Sequence, residues 1–233
     1  MFSRIKNFIQ NECSNWNKFE IIWLVFSTLV IIGISIKLKD NFMGITASLC
    51  AIWYSLLAGK GKLSCYFFGI INTILYGYIS YKHKLFGEVM LNWGWYLPMM
   101  FVGLFCWRKN LTKKHIIVKT DLSWTNRIVF LVASCIAIAG YTYILKVLKG
   151  SQPWLDSATT ILSITAMILT VKRCIEQWLL WTVINMLSIY MWLKVYLVSD
   201  NEIAILLMWI LSLVNGIIFF IQWAKEVKKN EIA

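Results

Sequence analysis

Long apolar runs broken by short basic turns fill the chain from residue 19 to residue 223. They predict eight helices, over residues 19–36, 43–58, 63–81, 89–107, 128–148, 151–171, 178–198 and 203–223. Most approach the ~20 residues that cross a bilayer. Lys37, Lys39 and Asp40 end the first run, Gly59-Lys60-Gly61-Lys62 makes a tight basic turn after the second, and Lys82-His83-Lys84 follows the third. Pro98 interrupts the fourth run, where it frees a backbone carbonyl and predicts a kink beside a cavity or packed protein. Ser151 and Pro153 suit the cap and first turn of the sixth. Ahead of all this, residues 1–18 mix charges with Phe2, Ile5, Phe8 and Ile9 at a spacing that permits either a short helix lying on the membrane surface or a solvated tail.

Inside the runs, polar side chains are few and aligned. Trp178, Trp181, Asn185, Ser188 and Trp192 share one face of the seventh helix, opposite Leu, Ile, Val and Met. An amide and a hydroxyl between indoles in hydrocarbon must find partners, so this stripe reads as the wall of a polar-ligand site or as a helix contact. Cys65, Phe68, Asn72, Tyr76 and Ile79 form a second stripe on the third helix. The fourth adds Glu88 and Asn92, with Glu88 at the helix start, where negative charge is favoured. Asp156, Thr159, Thr160 and Ser163 align on the sixth, and Asn215 adjoins Gly216 on the eighth.

Composition turns helices into membrane spans. Apolar residues make up 59% of the chain and charged residues 15%, against about 25% charged in soluble proteins. The expected fold is an all-α polytopic membrane protein with eight transmembrane helices. The net charge of +12 comes from Lys and Arg lying between runs, not on one folded face, which sets orientation and argues against nucleic acid as a partner. With eight crossings both termini share a side that carries more than twice the Lys and Arg of the other, so both are expected in the cytoplasm. The default contact for the basic loop at 108–127 is then anionic lipid headgroups.

The six cysteines include no CxxC pair, and His83 and His115 sit in basic loops, so neither a metal nor another cofactor is expected. No span carries Lys, Arg, Asp or Glu near its middle. A carrier driven by an ion gradient usually needs such a group, so the pattern points to uncoupled facilitation. A membrane enzyme of the prenyl-transferase kind would need paired magnesium-binding carboxylates, and no such cluster exists.

The chain also repeats. Phe68 precedes Asn72 as Trp181 precedes Asn185, basic turns lie upstream of both, and Phe105-Cys106-Trp107 matches Ile221-Gln222-Trp223 downstream. The organisation is therefore a tail and first helix (1–41), a three-helix bundle (42–107), a basic loop and linker helix (108–150), a second bundle (151–224) and a tail (225–233). The linker restores orientation, giving a parallel repeat with its site between the halves.

The three-one-three layout, with Gly69-xx-Asn72-xxx-Tyr76, Glu88-xxx-Asn92 and Trp178-xx-Trp181-xxx-Asn185 in order, resembles the PnuC family of bacterial vitamin transporters. The resemblance spans about 42–223 and implies an architecture related to the SWEET sugar carriers. It implies nicotinamide riboside as substrate, uptake across the inner membrane by facilitated diffusion, trapping by a cytoplasmic riboside kinase, and a homo-oligomer, perhaps a trimer. Thiamine and riboflavin are carried by relatives in the same family, and thiamine is likewise an aromatic cation. For the riboside, Trp178 and Trp181 would stack on the cationic ring, and Asn185 and Asn72 would bond its amide or hydroxyls. Ser188, Tyr76, Phe68, Asn92 and Glu88 complete the expected substrate-binding set.

Overall fold

A computed structural model describes residues 12, 14, 16–112, 116–147, 153–199 and 202–232. The surface helix permitted at 1–18 lies mostly outside them. The described chain is helical: α1 (Lys18–Lys37), α2 (Phe42–Lys60), α3 (Cys65–Lys82), α4 (Phe86–Arg108), α5 (Trp124–Val147), α6 (Pro153–Lys172), α7 (Gln177–Ser199) and α8 (Ile203–Ile232). Seven of these are long and apolar enough to cross a membrane. The exception is α3, which carries Asn72 and four tyrosines on its single crossing length. The protein is a polytopic membrane protein.

Local chemistry sets the helix ends. Asn17 and Glu20 form a reciprocal capping box at α1, and the Asn41 side chain accepts from the Gly44 N–H at α2. Gly61 ends α2 with φ +72°, a left-handed conformation that glycine adopts without strain. Asp40 caps a helix distant in sequence, accepting from the backbone N–H groups of Glu202 (3.1 Å) and Ala204 (2.7 Å) at the start of α8.

Helix α4 meets its proline with a change of helix type. Residues Met90–Tyr96 form a π-helical segment immediately before Pro98, and the Leu97 N–H reaches back to the Asn92 carbonyl. Widening the helix rehouses the carbonyls that a proline cannot serve.

The two triplets interlock reciprocally. Helix α8 packs on α2, and α4 packs on α6. Near its end each third helix sends a fully buried indole to the last turn of the other triplet's first helix: Trp107 Nε1 donates to the Thr170 carbonyl (3.0 Å) and Trp223 Nε1 to the Gly59 carbonyl (2.7 Å). Helix α1 lies outside the repeat, against α2 and α8, while α5 packs on α6.

The segment after α4 departs from the expectation of a loop given over to lipid headgroups. Its described part is a strap across the ends of both triplets. The Ile117 N–H donates to the Gly61 carbonyl (3.1 Å), the Thr120 N–H to the Arg173 carbonyl (3.0 Å), and the Ile175 N–H to the Thr120 carbonyl (2.9 Å). Ile117 and Leu122 are buried beneath it. Lys119 pairs with Glu226 at 2.6 Å over the Trp223 ring; burial pushes its ammonium below the usual lysine range, against the opposing pull of Glu226. Backbone pairing and apolar anchors, rather than charge alone, decide where this segment lies.

Candidate functional site

Between the triplets lies a cavity of about 960 Å³, counted with its open mouth. Helices α2, α3, α4, α6, α7 and α8 all contribute to its wall. Trp178, Trp181, Asn185 and Ser188 line it from α7, Asn72 and Tyr76 from α3, and Glu88 and Asn92 from α4. Phe68 is absent from the wall. It lies one turn along α3 from Asn72, where its ring packs against Trp53 (5.3 Å) and Phe67 (5.4 Å) on the flank facing α2. Asp156, Thr159 and Thr160 also lie off the wall; of that stripe only Ser163 reaches it.

The wall repeats as the fold does. Ala51 and Ser55 sit as far before Lys60 as Ser163 and Met167 sit before Lys172, and all four line the cavity. Asn72, Thr73 and Tyr76 answer to Ile184, Asn185 and Ser188 at the same spacing. Asn92, Tyr96 and Met100 on α4 answer to Met208, Ser212 and Gly216 on α8. The two asparagines are thus not equivalents: Asn185 answers to Thr73, one position beyond Asn72.

Hydrogen bonding separates them further. Asn72 Nδ2 donates to the Ala47 carbonyl of α2 at 2.9 Å, so half of its amide is committed to holding two helices together. Asn92 Nδ2 is spent on the Glu88 carbonyl (2.8 Å). The Asn185 amide, in a residue only 3% exposed, makes no hydrogen bond among the described residues. The buried indole N–H of Trp178 likewise has no partner there. Facing the cavity, the Asn185 amide is open to a ligand or to water.

Aromatic rings build the rest. Trp178 is backed by Phe219 (5.3 Å) and Trp223 (5.6 Å), and Trp181 packs against Tyr96 (6.0 Å) with its N–H given to Thr170 Oγ1 (3.1 Å). Away from the strap, Trp192 Nε1 donates to Tyr76 Oη at 2.7 Å, and His83, edge-on to Trp192, lies 3.3 Å from Glu202. Tyr54, Ser55, Gln177, Trp209 and Ser212 line the cavity without standing out in the sequence. Counting equal spacings back from the two basic turns would have found Ser55 from Met167.

A two-fold helical repeat enclosing an aromatic cavity with unmet polar groups is the build of a small-molecule carrier. The chain belongs to the PnuC family: the family described as nicotinamide mononucleotide transporter matches residues 41–225. It is 34% identical to the nicotinamide riboside transporter PnuC of Neisseria mucosa over 92% of this chain and 84% of that protein. It is 30% identical to the PnuC of Haemophilus influenzae over 95% of this chain and 96% of that protein. A crystal structure of the vitamin B3 transporter PnuC superposes with a TM-score of 0.86 at 32% identity, covering 96% of this chain and 98% of that one. These relatives are transporters, and the chain is a transporter, not an enzyme.

Proposed function

We propose that this chain carries nicotinamide riboside across the membrane by facilitated diffusion, alternating access between its two triplets. The observation that carries the reading is the unpartnered Asn185 amide at an aromatic wall. The relatives leave a choice between riboside and mononucleotide, since the family description and the curated names differ on the phosphate. The wall favours the riboside. Among the described residues it holds one carboxylate, Glu88, and no Lys, Arg or His, so a phosphate would enter without a counter-charge. A cationic pyridinium ring instead meets indole faces and a carboxylate. Asn185 supplies both donor and acceptor for a carboxamide or ribose hydroxyls.

The carboxylate at the wall, Glu88, stands at the start of α4 and none lies mid-span, which supports uniport with net uptake drawn by phosphorylation inside the cell. The excess of Lys and Arg on the strap face supports a cytoplasmic placement for that face, in a bacterial inner membrane. Calorimetric titration of purified protein with riboside, mononucleotide, thiamine and riboflavin tests the substrate. Saturable binding of the riboside alone is expected, and tight mononucleotide binding would overturn the choice. Uptake into vesicles should proceed equally with and without proton or sodium gradients; gradient-dependent accumulation would sink the uniport.

A further inference from the structure

Helix α1 stands outside the repeat, yet a polar path runs from it to the cavity. Trp23 Nε1 on α1 donates to Asn215 Oδ1 on α8 at 2.7 Å, and Asn215 Nδ2 donates to Ser55 Oγ on α2 at 3.1 Å. Asn215 is fully buried, and Ser55 lines the cavity. The direction of this path follows from chemistry. An indole N–H can only donate, so the amide atom facing Trp23 must be the oxygen. The amide nitrogen therefore faces Ser55, whose oxygen must accept. The hydroxyl hydrogen of Ser55 is left over, and it has no acceptor among the described residues.

We infer that Ser55 is a ligand-contacting residue that presents a hydrogen-bond donor to an oxygen of the transported molecule, and that Trp23 and Asn215 are positioning residues that fix this polarity. The inference rests on the riboside reading for its ligand, whose carboxamide and ribose oxygens are the acceptors on offer. It gives α1 a part in recognition without contact to substrate. Free of the Trp23 constraint, the Asn215 amide can turn over, and Ser55 then donates to Asn215 instead of the ligand.

The experiment is a double-mutant cycle on the full chain in detergent, reading nicotinamide riboside affinity by calorimetry alongside thermal melting. Ser55→Ala should weaken binding about three- to tenfold, the worth of one neutral hydrogen bond. Trp23→Phe, which keeps an aromatic ring while removing the N–H donor along with part of the ring, should weaken it similarly. The double variant should be no weaker than Ser55→Ala alone. Uptake should show the loss in KM with the maximal rate unchanged. If Trp23→Phe weakens binding equally with and without Ser55, α1 acts by packing and the relay is wrong. Should Trp23→Phe fail to fold, Ser55→Ala still decides the contact, since truncating a cavity-wall hydroxyl leaves α2 intact. A parent chain that binds riboside while folded Ser55→Ala binds it equally well overturns this inference alone. A parent that binds none overturns the uptake reading with it.

Discussion

Asn185 presents its amide to the cavity, where a ligand or water can bond it. Its amide is buried at the cavity wall with no protein partner, whereas Asn72 spends its nitrogen on the Ala47 carbonyl. Asn185→Leu should therefore abolish riboside binding and leave the melting temperature at or above the parent's, because no hydrogen bond within the protein is lost and an apolar side chain of similar size replaces the amide. A lowered melting temperature, with binding intact, would place this amide in helix packing instead. Helical phase gathered Trp178, Trp181, Asn185 and Ser188 on one face of α7 and Asn72 and Tyr76 on one face of α3, and these six line the cavity together with Glu88 and Asn92 of α4. It could not rank them, because phase reports direction and not which hydrogen bonds neighbours have already claimed. Phe68 shows the converse error: a residue one turn from the wall shares its stripe, but the angular drift per turn carries it onto the flank.

Among the elements, helix ends were readable because caps are local. Asn17, Asn41 and Gly61 each act within a few residues of the boundary they set. The π-helical segment before Pro98 was not, since proline announces a break without saying how the backbone absorbs it. That segment determines where Asn92 points, by adding a residue to the turns it spans. In Pro98→Ala the restored N–H lets α4 relax toward an ordinary α-helix, rotating Asn92 off the wall. Riboside affinity should fall severalfold while the melting temperature holds or rises, read by the same titration and melt; unchanged affinity would show that the π geometry does not depend on the proline. The strap also escaped the sequence, because a basic stretch with scattered isoleucines has one composition whether it is solvated or pinned.

For the molecule as a whole, that strap bonds by its backbone to the turns of both triplets, so the proposed rocking of one against the other would carry it along. The ion pair beneath is a lesser part of the hold. Lys119 is buried and Glu226 half exposed, so removing the cation leaves a carboxylate that water can still reach. Lys119→Met should melt at or slightly above the parent temperature; a marked drop would make the pair the anchor. The repeat was legible as matched spacings, while the strap and the reciprocal Trp107 and Trp223 crossings involve partners far apart in the chain. Finally, α3 bears on how the protein is made. The polar residues that let it line a cavity leave it less apolar than the other seven helices, so on its own it is expected to enter a bilayer poorly. The tight turn at Gly61 lets α2 draw it in as a hairpin, and its polar face must then wait in the bilayer until α7 has been synthesised. Translation products ending after α3 should show it inserted when α2 precedes it and left in water when α2 is deleted, as glycosylation mapping would report.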